Sequence, residues 1–205
     1  MAFLRTVPVA EADAEVRTMY ARYQEQRGYV PNYAKTFSLR PNVVDGWLAL
    51  NGAIRGNMSL RDFELATFAA ARAMRSSYCM LAHGSVLADQ VLDPGEVARL
   101  GRGEQGEPIT ERERAMMAFA AQVARDAASV TAADVEALRS HGLSDREIFD
   151  VAATAAARCF FSKLLDALGT RPDSVYASLA PDLLSALTPG RPLDDAPTER
   201  LADPG

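Results

Sequence analysis

The stretch Phe63–Gln90, FELATFAAARAMRSSYCMLAHGSVLADQ, decides the fold class. Its first twelve residues hold five alanines, and alanine is the strongest intrinsic helix former. Arg75-Ser76-Ser77 then interrupts the run, and either serine can cap a second helix that carries on through Leu87. The reading is helix, break, helix, with no apolar–polar alternation. The same pattern extends outward: alanine supplies 37 of the 205 residues, valine and isoleucine are sparse, and apolar positions recur at helical spacing. The chain reads as all-α.

Helix starts are punctuated clearly. Thr110-Glu111-Arg112-Glu113 and Ser144-Asp145-Arg146-Glu147 place a hydroxyl three residues before a glutamate, the pattern of a capping box. Ser59-Leu60-Arg61-Asp62 and Thr131-Ala132-Ala133-Asp134 repeat it with aspartate. Pro41 and Pro94 sit where a first helical turn tolerates proline. These signals predict helices near 10–27, 41–55, 59–74, 76–90, 94–100, 110–127, 131–141, 144–168 and 173–187.

The Gly-rich stretch 101–108 predicts a connector between two halves of one domain. Across it, FELATFAAAR at 63–72 aligns with FDVAATAAAR at 149–158, which matches Glu64 with Asp150 and Arg72 with Arg158. The organisation expected is a single helical domain over 1–187, built of two related halves. The Pro- and charge-rich tail, 188–205, has no core residues at helical spacing and reads as disordered or as an arm lying on a partner subunit.

Composition narrows the function classes. Lys plus Arg is 22 and Asp plus Glu is 27, a formal charge of −5, and no basic run offers a footprint for nucleic acid or anionic lipid. No apolar run approaches the ~18 residues that a membrane span needs. The N-terminal residues lack the pattern of a secretory signal, and two cysteines cannot make a disulfide scaffold, so a reducing cytoplasm is the expected compartment. Two Cys and two His, widely scattered, show no metal-ligand spacing, and neither a metal nor an organic cofactor is expected.

The chemistry-bearing residues lie in the opening stretch. Cys79 falls in the first turn of the second helix, where unpaired N–H groups and the helix dipole favour a thiolate. His83 lies one turn further along the same face, and Glu64 leads the apolar run of the preceding helix. Thiol, imidazole and carboxylate together would make a proton-relay set. Ser76 and Tyr78 are expected as supporting groups, Ser76 by capping the helix or donating to the Cys79 sulfur.

Other residues have plainer readings. Cys159 falls on an apolar stripe with Ile148, Ala152 and Ala155, which makes it packing filler. His141 before Gly142 marks a helix C-terminus, and Trp47 is a core anchor or a pocket wall. Tyr29, Asn32 and Tyr33 fall in an irregular stretch placed to cover a pocket. Arg72 and Arg158 are open to pairing with Asp150 or Glu64, or to binding a substrate carboxylate.

Glu64-x11-Ser76-x-x-Cys79-x-x-x-His83 resembles the carboxymuconolactone decarboxylase / alkylhydroperoxidase AhpD-like family, whose redox members read Glu-x11-Cys-x-x-Cys-x-x-x-His. Tyr78 before Cys79, VPNYAKTFSLRPNVVDGWLAL at 30–50 and ARCFFSKLLDALGTRPD at 157–173 resemble its peroxidase-related branch, so the likeness covers most of residues 8–180. Ser76 departs from the pattern: it stands where the first cysteine of the pair would be, and an internal disulfide cannot form there.

The resemblance implies an AhpD-like bundle of about eight to nine helices that assembles as a homo-oligomer (dimer, trimer or hexamer). It implies a peroxidase-like oxidoreductase in which Cys79 is the nucleophile, His83 and Glu64 relay protons, and an external thiol is the reductant. The second reading is a cofactor-free decarboxylase, lyase or isomerase acting on a small organic acid, with His83 as acid or base. A third, weaker reading is a non-catalytic helical assembly protein.

Overall fold

The computed structural model describes residues 2–104 and 108–202. Ten α-helices occur among them: α1 Ala14–Arg27, α2 Asn32–Phe37, α3 Pro41–Arg55, α4 Leu60–Ala73, α5 Ser77–Gln90, α6 Pro94–Arg102, α7 Glu111–Asp126, α8 Ala132–Ser140, α9 Asp145–Ala167 and α10 Pro181–Leu187. Residues 105–107 of the expected connector lie outside the described residues; its start belongs to α6, which closes on left-handed Gly103.

The hydroxyl caps form as their local chemistry dictates. The Ser59 side chain accepts from the Asp62 N–H, and Thr110, Thr131 and Ser144 make reciprocal capping boxes with Glu113, Asp134 and Glu147. Each such cap contributes on the order of 1 kcal/mol to its helix.

Helix α4 is the centre of the molecule. Its residues Phe63 to Ala71 are all buried, so it is surrounded on every side, as an apolar helix must be. Its small alanine faces allow α5, α7 and α9 to approach it closely. Two interacting clusters result, one of α4, α5, α6 and α10 and the other of α7, α8 and α9, while α1, α2 and α3 cover the face that α3 shares with α9. Arg112 ties the clusters at one end, pairing with Asp62 of α4 at 3.2 Å and Glu147 of α9 at 2.7 Å.

The structure departs from expectation in four places. Helix α1 starts at Ala14, not near residue 10, because Asp13 is its cap and Val9–Glu11 form a separate 3-10 turn. Asn32–Phe37, read as irregular, is a short helix after Pro31. The expected helix 173–187 is divided into a 3-10 turn at Ser174–Ser178 and α10, since Pro181 can open a helix but not continue one. The segment from Thr188 to residue 202 folds back on its own chain. Gly190 N–H donates to Ser77 Oγ at 2.8 Å, Val30 N–H donates to the Glu199 carbonyl at 2.9 Å, and Lys35 pairs with Glu199 at 2.6 Å. Glu199 is therefore paired within its own chain.

No helix among the described residues is long and apolar enough to cross a membrane.

Candidate active site

The break between α4 and α5 positions the site. Arg75 adopts a left-handed conformation (φ 56°), and the Ser76 N–H donates to the Ala71 carbonyl at 3.0 Å, closing α4 in a Schellman arrangement. Left-handed arginine costs on the order of 1–2 kcal/mol. Its side chain is held by a 2.9 Å bond to the Pro189 carbonyl. Helix α5 begins two residues later, which puts Cys79 in its first turn and His83 one turn on.

Glu64 and His83 meet directly. His83 Nδ1 and Glu64 Oε2 are 2.6 Å apart, with the Glu64 side chain 4% and the His83 side chain 16% exposed. Burial pushes the His83 pKa below its ordinary value, the Arg158 charge pushes the same way, and Glu64 opposes both. The neutral ring is therefore favoured at neutral pH. A carboxylate can only accept, so the ring proton sits on Nδ1 and leaves Nε2 as a free acceptor.

Cys79 is buried, and its sulfur is met by α9. The Ser162 hydroxyl donates to Sγ at 3.0 Å, and Arg158 Nη1 donates at 3.7 Å. Arg158 is only 3% exposed and has no ion pair with any described carboxylate. Its guanidinium lies 5.5 Å from the ring centroids of Trp47 and Phe161, which stack on each other at 4.3 Å.

Except for Ser162, which lies behind the sulfur, these groups line one cavity of about 330 Å³. Its walls are aromatic, from Tyr23, Tyr33, Trp47, Phe63 and Phe161; its polar groups include Glu64, Cys79, His83 and Arg158, with Arg27 and Arg55 also lining it. The structure thus brings Glu64, Cys79 and His83 together. Trp47 and Tyr33 are walls of the same cavity.

Ser76 takes a different place from the one expected. Its hydroxyl makes no cap bond to α5 and does not line the cavity; the hydroxyl on the Cys79 sulfur belongs to Ser162. Tyr78 holds the surroundings. Its buried hydroxyl donates a short bond to Asp173 Oδ2 and accepts from the Tyr33 N–H at 3.2 Å, while Asp173 Oδ1 accepts from the Asn32 N–H at 2.8 Å. This network fixes α2, and with it Tyr33, over the cavity. Cys159 is half-buried, its thiol directed to the Ala124 carbonyl at 3.8 Å, with burial pushing its pKa up.

Sequence reasoning missed Ser162 altogether and left Arg158 open between an ion pair and a substrate carboxylate, without placing it on the Cys79 sulfur. A signal existed for Arg158 in its match with Arg72 across the repeat, and Ser162 lies one turn further along the same helix face. Among the described residues, no three His, Cys, Asp or Glu side chains converge as a metal site would require.

No family model matches the chain, and no curated protein does. Solved structures do. The AhpD core of an uncharacterized peroxidase-related protein from Ralstonia eutropha superposes with a TM-score of 0.76 at 27% identity, covering 85% of this chain and 94% of that one. An uncharacterized peroxidase-related protein from a Silicibacter species gives 0.73 at 27% identity, covering 86% and 94%. The debrominase Bmp8, solved as a cysteine-to-alanine variant with 2,3,4-tribromopyrrole, gives 0.69 at 15% identity, covering 85% and 91%. The fold is that of the AhpD-like, peroxidase-related proteins. A buried cysteine beside a His–Glu pair on that fold is consistent with a redox enzyme.

Proposed function

We propose that this protein is an AhpD-like thiol oxidoreductase that reduces a hydroperoxide through Cys79 alone. The observation that carries the reading is the placement of the Cys79 sulfur. It lies in an aromatic cavity, hydrogen-bonded by Arg158 and Ser162, with the His83–Glu64 pair lining the same space.

The steps follow from that arrangement. His83 Nε2 takes the thiol proton, and Glu64 stabilises the imidazolium formed. The charge on sulfur is met by the Arg158 guanidinium and the Ser162 hydroxyl. Sulfur attacks the distal oxygen of the O–O bond and is oxidised by two electrons to a sulfenic acid; His83 returns the proton to the departing alkoxide, which leaves as an alcohol. With Ser76 in place of a second cysteine, an external thiol condenses with the sulfenic acid, releasing water. A second thiol then frees Cys79 and leaves as the disulfide.

Dimedone trapping in a Cys159→Ala background tests this. Treatment with cumene hydroperoxide should give one dimedone adduct, on Cys79, by intact mass and peptide mapping. His83→Ala should slow its formation. Absence of the adduct would refute the redox reading.

A second reading keeps His83 as the acid–base group for a lyase or isomerase acting on a small organic acid, with Cys79 a cavity wall. What favours it is the neutral ring with Nε2 free beside an unpaired Arg158. An unreactive Cys79 would leave this reading standing. As the resemblance implies, we also propose a homo-oligomer; Phe149 and Phe160, exposed on α9, are apolar residues that a second copy could cover. Light scattering after size exclusion measures it.

A further inference from the structure

Arg158 is a cation buried without a counter-ion, and that is costly unless something supplies the missing charge. Its guanidinium has two hydrogen-bonding edges. One is directed through Nη1 at the Cys79 sulfur, 3.7 Å away. The other, Nε with Nη2, donates no hydrogen bond to the protein, and Nε is buried with no partner. Neither Glu64, which is spent on His83, nor Asp150, matched to Glu64 in the repeat, pairs with it. The Nε–Nη2 edge is the one that receives a carboxylate in side-on bidentate fashion.

The surroundings select for the same kind of ligand. The cavity is lined by three arginines (Arg27, Arg55 and Arg158) against one acid, Glu64, in a chain whose overall charge is negative. The neutral His83 adds no positive charge of its own. Trp47 presents a second buried donor without a partner, its Nε1. The stacked Trp47–Phe161 pair with Tyr33 at its edge offers flat apolar surface beside the cation. A cavity of about 330 Å³ is at the small end of small-molecule sites.

We propose that the cavity binds a compound joining an aromatic ring to a carboxylate, the carboxylate docking on the Nε–Nη2 edge of Arg158 and the ring lying against Trp47 and Tyr33. Resting on the oxidoreductase reading, this makes the substrate of Cys79 an oxidant that carries such a group. Arg158 then serves two partners at once, the sulfur through Nη1 and the substrate through its other edge, and so sets the distance between them.

Benzoate, with benzamide as its uncharged counterpart, tests the proposal in the full chain by calorimetry. Trp47 is the sole tryptophan, so its emission gives a second report from inside the cavity. Benzoate should bind at least tenfold more tightly than benzamide, about 1.4 kcal/mol. That preference should persist in Cys79→Ala and be lost in Arg158→Gln. If benzoate and benzamide bind alike, or neither binds, the proposal is overturned; this comparison uses the wild type and stands even if Arg158→Gln does not fold. Benzoate affinity unchanged in a folded Arg158→Gln would also overturn it. The two readings fail separately: benzoate binding with a Cys79 that forms no dimedone adduct removes the redox step, and adduct formation without benzoate binding removes the anion site.

Discussion

Replacing Tyr78 by phenylalanine should destabilise the protein far more than the loss of one oxygen suggests. The Tyr78 hydroxyl sits between two buried groups, donating to Asp173 and accepting from the Tyr33 N–H. Asp173 is 2% exposed, and it also accepts from the Asn32 N–H at 2.8 Å. A hydrogen bond to a charged group contributes roughly 1.5–3 kcal/mol, and each buried group left without a partner costs about 1–3 kcal/mol. Relaxation recovers part of this, so a net loss of about 3 kcal/mol is expected. For a chain of this length that lowers Tm by roughly 6–12 °C. The pH dependence supplies an internal check. Burial already pushes the Asp173 pKa up, and the Tyr78 bond pulls it back. Without the hydroxyl the carboxyl protonates more readily, so the gap between variant and wild type should narrow as pH falls through the carboxylate range. Thermal unfolding followed by circular dichroism at pH 7 and pH 4.5 measures both effects. A Tm within 2 °C of wild type at pH 7, or a gap that does not change with pH, would refute the account of this network.

Three further perturbations address the relay and the tail. Glu64→Gln keeps an acceptor for His83 Nδ1–H but removes the charge that supports an imidazolium, so the rate of dimedone trapping at Cys79 should fall about a hundredfold, a typical acid–base contribution; a change under threefold would remove Glu64 from the mechanism. His83 also links stability to pH. Its folded pKa lies below the unfolded value of ~6.5, so the unfolded chain binds the proton first, and stability drops as pH falls from there to the folded pKa, by up to about 1.4 kcal/mol per pH unit. Urea titrations across that window should show a shallower slope in His83→Gln than in the wild type. For the tail, a Cβ at Gly190 would run into the Arg75 carbonyl and crowd Ser77 Oγ at 3.3 Å. Gly190→Ala should therefore release residues 188–202 and speed tryptic cleavage after Arg200, while an unchanged digestion pattern would show that the tail is not held there.

The parts of the fold that were legible in the sequence are those set by neighbours along the chain. A hydroxyl at Ser59, Thr110, Thr131 or Ser144 meets its partner three residues on, so the cap is written in adjacent letters. The elements misjudged lack such signals. Helix α2 has no side-chain cap and only six residues, and it is held by Asp173 from the far end of the chain. The tail looked unattached because its composition is polar. Lys35, Arg171 and Gln24, which receive Glu199, Asp195 and Leu201, are distant in sequence and carry no local mark of that role.

The candidate site divides along the same line, and the division matters for the chemistry. Glu64, Cys79 and His83 come from two consecutive helices joined by three residues, so their spacing alone suggests that they could meet. The groups that hold the Cys79 sulfur, Arg158 and Ser162, lie 79 and 83 residues away on α9, and only the packing of α9 near α4 and α5 delivers them. Sequence spacing could therefore propose a nucleophile and a relay, but not what meets the charge on the nucleophile. It also led to Ser76 for the hydroxyl beside sulfur, because Ser76 is three residues from Cys79. The Ser76 hydroxyl, however, is buried without a partner and reaches neither the free N–H groups of α5 nor the sulfur, whereas Cys79 meets α9. A helix packed against that side, with a cation and a hydroxyl one turn apart, meets the sulfur directly. With Ser76 three residues before it and no thiol there, Cys79 has its partners from another helix, so the one-cysteine mechanism proposed above is physically coherent.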